Sequence, residues 1–126
     1  MSATRDGSTL YMSMCHELTS DQRLHIWGEV TDPAFVVDEA IISFTVNPRS
    51  SIGTVPCRAT GTGVAVVFAE ARGAEFDADP NVCNFTLTDN ALTTGIARGH
   101  VIAEYADNVG TRHKFEVTFA VPACKK

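Results

Sequence analysis

Short runs in which apolar and polar residues alternate recur along this chain, and they predict β-strands. The clearest run lies near the end, where every second residue from Phe115 to Val121 is apolar. Successive side chains of a strand point to opposite faces of a sheet, so this period predicts one buried and one solvent-facing side. A second run, residues 98–106, precedes it, and Asp107 to Gly110 lies between the two. Asp, Asn and Gly tolerate tight turns, so we predict a β-hairpin here.

The same pattern predicts strands further upstream, at residues 9–15, 23–30, 40–46, 55–59, 64–69 and 84–88. In the second of these runs Leu24, Ile26 and Val30 share the inward face with a glycine, which leaves His25 and Trp27 on the outward face. The segments between the runs are polar or rich in Gly and Pro, so we predict connections there. Two of these connections are residues 16–22 and 71–81, and Asp89 is placed to cap a single helical turn.

Seven to eight short strands without a helical stripe predict an antiparallel immunoglobulin-like β-sandwich. Barrels of the up-and-down or jelly-roll kind stay open as alternatives. We assign residues 1–8 to an N-terminal arm, 9–122 to the sandwich and 123–126 to a C-terminal tail.

Length and charge narrow the classes of function. A chain of 126 residues is long enough for one domain with a core of its own. Its formal charge of −5 disfavours nucleic acid as a partner, because phosphate binding needs a basic surface. No stretch has the apolar length of a spanning helix, and the first residues lack the apolar core of a signal peptide. We therefore expect a soluble protein that is made in a cytoplasm and binds no membrane.

The four cysteines have two interpretations, of which we prefer free, buried thiols. Their spacing contains no CxxC pattern, so it predicts neither a zinc site nor a redox motif. A chain without a signal peptide stays in a reducing compartment, which favours thiols. Release into an oxidising medium would instead pair some of them, and the sequence does not choose among the three connectivities. The residues are Cys15, Cys57, Cys83 and Cys124.

No motif in the chain predicts catalysis, a metal site or a cofactor. The histidines, at positions 16, 25, 100 and 113, lack HxH or HExxH spacing, although a diagonal approach of His100 and His113 across the hairpin stays open. Carboxylates from Glu75 to Asp79 have the spacing of an oxygen-rich calcium loop but lack the EF-hand pattern. The serines lack a G-x-S-x-G elbow. We therefore expect a non-enzymatic protein, with a hydrolase acting through the Glu75–Asp79 loop as a remote alternative.

The outward-facing aromatic and apolar residues predict a surface for partner binding. Trp27 beside His25 is a large apolar group on a face where water is expected, and a partner subunit is one natural cover for it. Phe35 and Val36 lie in the loop that follows and are a second exposed apolar candidate. An alternative is a sugar-binding face formed by Trp27 with the two tyrosines.

The order of these segments resembles small immunoglobulin-like modules of tailed-bacteriophage virions. The resemblance covers residues 22–121. It is carried by the order of the segments Ala-Ile-Ile-Ser-Phe-Thr-Val, Phe-Thr-Leu-Thr, Gly-Ile-Ala-Arg-Gly-His-Val-Ile-Ala-Glu-Tyr, Asp-Asn-Val-Gly and Phe-Glu-Val-Thr-Phe-Ala-Val. The layout is similar to that of baseplate upper-protein N-terminal domains and of capsid decoration proteins. It identifies no functional residues.

This resemblance implies a structural virion protein, and a decoration or cement protein that binds the capsid is our first hypothesis. Such a protein would be assembled in the host cytoplasm, would bind other virion proteins, and would form a homo-oligomer, with trimers matching capsid symmetry. A tail or baseplate adaptor and a carbohydrate- or receptor-binding module are the alternatives.

Overall fold

Two antiparallel sheets make up the computed structural model, which describes residues 2–30, 41–58, 62–71, 74–107 and 109–125. One sheet has six strands in the order β2-β1-β11-β10-β9-β6, and the other has five in the order β3-β4-β5-β7-β8. The strands are β1 (Ser2–Arg5), β2 (Ser8–Thr9), β3 (Met12–Leu18), β4 (Leu24–Val30), β5 (Ile41–Asn47), β6 (Gly53–Val55), β7 (Gly63–Ala71), β8 (Ala74–Asp77), β9 (Cys83–Asn90), β10 (Ala97–Ala106) and β11 (Arg112–Val121).

The predicted antiparallel β-sandwich is confirmed. The described residues contain more than the expected seven to eight strands, because β1, β2 and β8 are too short to produce a periodic signal in the sequence. Strands that are neighbours in sequence are mostly neighbours in their sheet, as in the run β3-β4-β5. The runs β3-β4-β5 and β9-β10-β11 are meanders, whereas the chain crosses between the two sheets at β2–β3, β5–β6, β6–β7 and β8–β9.

The hairpin of β10 and β11 is the longest paired unit of the six-stranded sheet. Ten residues of each strand pair in continuous register, from Ala97 opposite Val121 to Ala106 opposite Arg112. Buried and exposed positions alternate along both strands, as the pattern predicts. Asp107 caps the turn, since its side chain accepts hydrogen bonds from the backbone N–H groups of Val109 and Thr111.

Aromatic side chains from both sheets meet in the core. The ring of Phe44, on β5, lies 5.6 Å from that of Phe85 and 5.8 Å from that of Phe119 between centroids. Further along, Phe68 stacks on Tyr105 at 4.9 Å. Such pairs contribute about 0.5–1.5 kcal/mol each beyond the burial of their area. The apolar faces that the sequence predicts for β4 and β5 are thus the inner faces of the sandwich.

The first and last described residues pair with neighbouring strands, within the segments that we assign to an arm and a tail. Residues 1–8 include β1, which pairs with β11 from Ser2 opposite Thr118 to Arg5 opposite Phe115. At the other end, the backbone of His16 accepts a hydrogen bond from Cys124 N and donates one to Pro122 O. The C-terminal residues therefore run beside β3 as a short parallel extension of the five-stranded sheet.

Three predicted connections were wrong in detail. Residues 16–18 belong to β3, so the predicted connection at residues 16–22 begins only at Thr19. Residues 74–77, within the predicted loop 71–81, form the edge strand β8. Residues 91–95 close the predicted single turn, with Gly95 N donating to Ala91 O, but Asp89 lies before it at the end of β9, and its carboxylate accepts the N–H of Ala91.

The four cysteines form two disulfides, and the prediction of free thiols is wrong. Cys15 on β3 is bonded to Cys124, and Cys57 after β6 is bonded to Cys83 at the start of β9. The fold brings the Cα atoms of these pairs to 4.9 Å and 6.1 Å, within the usual range for a disulfide. Wide separation in sequence, 109 and 26 residues, concealed this pairing.

Candidate functional site

The outer face of β3, β4 and β5 carries the residues that the sequence predicts for partner binding, and we call it the Trp27 face. It comprises Glu17, His25, Trp27 and Ser43. Alternate residues of β4 enter the core, with Leu24 and Ile26 fully buried, so His25 and Trp27 point outward. The strand is flanked on both sides, which fixes these two positions on a rigid part of the sheet.

Trp27 is half-buried although it lies on the outer face. Its Cα pairs with that of Cys15 on one side and Ser43 on the other. The indole Nε1 is buried and has no hydrogen-bond partner among the residues that the structure describes. Because the Nε1 atom is itself shielded, the accessible part of the ring is what Trp27 presents on this face.

Polar side chains form a row across the three strands beside Trp27. His25 Nε2 lies 2.8 Å from Ser43 Oγ, and His25 Nδ1 lies 3.5 Å from Glu17 Oε1. The His25 ring also stacks on Trp27, with 6.5 Å between centroids. An acid, an imidazole and a hydroxyl therefore follow one another in the order that acyl-transfer enzymes use to activate a serine. Sequence reasoning missed this row, because its members are 8 and 18 residues apart and meet only through strand register.

The other two predicted contact residues, Phe35 and Val36, lie outside the described residues. Of the predicted aromatic set, Tyr105 is fully buried in the core, and Tyr11 is 59% exposed on the link between β2 and β3. The Tyr105 ring is therefore not available to an outer sugar-binding face, which leaves that alternative with Trp27 and Tyr11.

The acidic loop does not form a catalytic pair of carboxylates. Glu75 and Asp77 are exposed on the edge strand β8, and Asp79 forms an ion pair with Arg112 at 3.2 Å. The N–H of Asn81 and then the Arg112 guanidinium lower the pKa of Asp79 below its ordinary value. A general acid for glycoside hydrolysis needs a raised pKa, so this carboxylate is unsuited to that role. No three His, Cys, Asp or Glu side chains in the described part of the chain are placed to hold a metal ion.

Histidines 100 and 113 do not approach each other. His100 lies opposite Thr118 in the hairpin and contacts Glu116 at 3.5 Å. His113 lies opposite Tyr105, five residues further along β10. A shared ligand site across the hairpin is therefore not formed.

A second polar cluster, which we call the His113 clamp, was missed by sequence reasoning. His113 Nδ1 lies 2.8 Å from Asp6 Oδ2, and His113 Nε2 lies 2.8 Å from Asp107 Oδ2. Carboxylates only accept hydrogen bonds when ionised, so both ring nitrogens must donate and the ring is an imidazolium. Burial alone would lower the pKa of His113, but the bonds to Asp6 and Asp107 outweigh it and raise this pKa above its ordinary value. The clamp joins the β1–β2 turn to the β10–β11 turn.

Within the residues that the structure describes, no helix has the length and apolarity to cross a membrane. Comparison of the chain with protein-family models, with curated proteins and with solved structures finds no match.

Proposed function

We propose that this chain is a structural virion protein of a tailed bacteriophage, a decoration protein that docks on the capsid through the Trp27 face. The observation that supports this proposal is the partly exposed ring of Trp27 on the outer face of a sheet. Tryptophan is also enriched among residues that dominate the energy of protein interfaces.

The disulfides suit a protein that ends outside the cell. All four cysteines are paired, and disulfides persist on virion and cell surfaces but are rare in the cytosol. A virion protein would assemble in the host cytoplasm with its thiols reduced and would oxidise after the particle is released. One disulfide would then link the C-terminal residues to β3, and the other would link the segment after β6 to the start of β9.

Docking of this kind requires no catalysed reaction. A protein that binds only the assembled shell stabilises that shell by mass action, in proportion to its free concentration over its dissociation constant. A closed homo-oligomer, such as a trimer, would match the local symmetry of the capsid and multiply the contacts. The acidic charge of −5 disfavours packaged nucleic acid as the binding partner.

Co-sedimentation with purified particles of the virus that carries the gene tests this proposal. We expect stoichiometric binding to the shell, and we expect Trp27→Ala, which removes the ring, to weaken binding by about tenfold or more, at least about 1.4 kcal/mol. Tyr11→Ala is the matched control, since it also removes a partly exposed aromatic ring and lies on the link between β2 and β3, outside the strands that carry the Trp27 face. It should bind like the wild type.

Two outcomes would overturn the capsid assignment. Absence of the protein from purified particles would reject a virion role altogether. Presence in isolated tails, with none on the shell, would replace the decoration protein by the tail or baseplate adaptor. Equal binding of the Trp27→Ala variant and the wild type would show that docking uses another face.

A further inference from the structure

We propose that Ser43 is a nucleophilic serine, activated by His25, that accepts an acyl group from small, unhindered esters. This reactivity goes beyond docking and does not depend on it. It rests on the row of Glu17, His25 and Ser43, which spans three adjacent strands of the five-stranded sheet.

The distances suit proton transfer from the serine to the imidazole. Ser43 Oγ lies 2.8 Å from His25 Nε2, within the range required of a nucleophile and its general base. Ser43 pairs with Trp27 in the strand register, so His25 reaches it diagonally across one rung. Because β4 lies between β3 and β5, the base is held on an internal strand.

Glu17 supplies the third member of the arrangement. Its Cα pairs directly with that of His25, and its carboxylate lies 3.5 Å from Nδ1. A carboxylate at this position favours the tautomer with the proton on Nδ1, which leaves Nε2 free to accept the proton of the Ser43 hydroxyl. It also stabilises the imidazolium that forms when that proton has moved. Glu17 is thus a positioning residue.

The reaction balances without an added oxidant or cofactor. Ser43 Oγ forms a bond to the ester carbonyl carbon while its proton passes to His25 Nε2. The bond from carbon to the ester oxygen then breaks, and the alcohol leaves with the proton returned by His25. The products are an acyl-serine and a free alcohol, and attack by water through the same base would release the acid.

The surroundings of Ser43 define the class of substrate. The serine lies on the outer face of a sheet, where an acyl chain finds no enclosing walls, so short acyl groups on accessible oxygens are favoured.

Acylation by p-nitrophenyl acetate, followed by peptide mass spectrometry, tests the proposal on the isolated chain with its disulfides intact. A fluorophosphonate probe gives a second readout. We expect one adduct, on Ser43. His25→Asn should slow its formation by about 100-fold or more, the usual contribution of a general base. Glu17→Gln should slow it less, since the base itself remains.

Ser13 provides an internal control, because it is exposed on β3 of the same sheet and no histidine contacts it in the described part of the chain. Labelling of Ser13 as fast as Ser43 would show that exposure, and not His25, determines reactivity, and would overturn the proposal. So would an unchanged rate at Ser43 in a folded His25→Asn variant. No capsid is present in this assay. Failure to acylate Ser43 therefore leaves the docking proposal unaffected, and failure to bind capsids leaves the proposal for Ser43 unaffected.

Discussion

The His113 clamp makes the stability of the fold depend on pH in a direction that the geometry determines. The clamp holds an imidazolium between Asp6 and Asp107, with both contacts at 2.8 Å. Its pKa in the folded protein lies above the ordinary value of 6.5. Between these two pKa values the folded chain binds more protons than the unfolded chain, so the free energy of unfolding falls as pH rises. The stabilisation is complete below the ordinary value and is lost as pH passes the raised one.

Replacement of His113 by glutamine measures this effect. A hydrogen bond to a charged group contributes about 1.5–3 kcal/mol, while exposed ion pairs contribute about 1 kcal/mol or less. The Asp6 carboxylate is 45% exposed, so its bond belongs at the lower end, and the glutamine amide can still donate to one carboxylate. We therefore expect His113→Gln to lower the free energy of unfolding by about 1–2 kcal/mol at about pH 6.

The assay is urea denaturation of both proteins across the range from about pH 6 to about pH 9, with the disulfides intact. The difference between wild type and His113→Gln should narrow steadily with rising pH, because the wild type loses the proton that the variant never bound. Comparison at each pH cancels the titration of the other histidines. Titration of the Asp107 carboxylate does not interfere. Its bond to His113 is the first cause that lowers the pKa of Asp107 below the ordinary value, so this carboxylate stays ionised throughout the range.

His100→Gln is the matched control on the neighbouring strand. His100 is 42% exposed and contacts a single carboxylate, that of Glu116, at 3.5 Å. A contact of this kind contributes little, so the stability of this variant should follow that of the wild type at every pH. A constant or widening difference between wild type and His113→Gln as pH rises would refute the assignment of an imidazolium.

Two further predictions concern packing and cross-linking. Gly99→Ala should lower the free energy of unfolding by about 1–3 kcal/mol, because an added Cβ would overlap the carbonyl oxygen of Thr86 and lie 2.6 Å from Cζ of Phe119. An unchanged denaturation midpoint would show that β9 and β10 can separate at no cost. Replacing Cys57 and Cys83 together by serine should lower the free energy of unfolding by about 3.5 kcal/mol, because the unfolded chain regains the entropy of a loop that spans a 26-residue separation. A loss under 1 kcal/mol, measured in the same denaturant series, would contradict that account.

The sequence predicts those parts of the fold that depend on local periodicity. The inward set of β4 and β5 and the hairpin of β10 and β11 follow from alternation alone, since each side chain faces the core or the solvent according to its parity. The short strand β8 was not predicted, because four residues on an edge need few apolar side chains when a neighbouring strand supplies the backbone partners. Its position depends on β7, which no local pattern in residues 74–77 reveals.

Contacts that depend on distant register could not be predicted in the same way. Asp107 is six residues from His113 across a recognised turn, so that half of the clamp was accessible to sequence reasoning. Asp6 is 107 residues away, in a segment assigned to an N-terminal arm, and it reaches His113 only because β1 pairs with β11. The disulfide between Cys15 and Cys124 could not be predicted for the same reason, since the C-terminal residues lie beside β3 through a long-range contact that no local pattern shows.

Docking and acylation share the Trp27 face, yet they depend on different atoms of it. The proposed docking uses the partly exposed ring of Trp27, whereas the proposed acylation uses the Ser43 hydroxyl, which already has a base at 2.8 Å. Removing the Trp27 ring leaves the serine and its base in place, and removing His25 leaves the Trp27 ring in place. The two substitutions therefore test the two proposals separately. Strand register, which sets Trp27 directly opposite Ser43, is the reason that a single face presents both features.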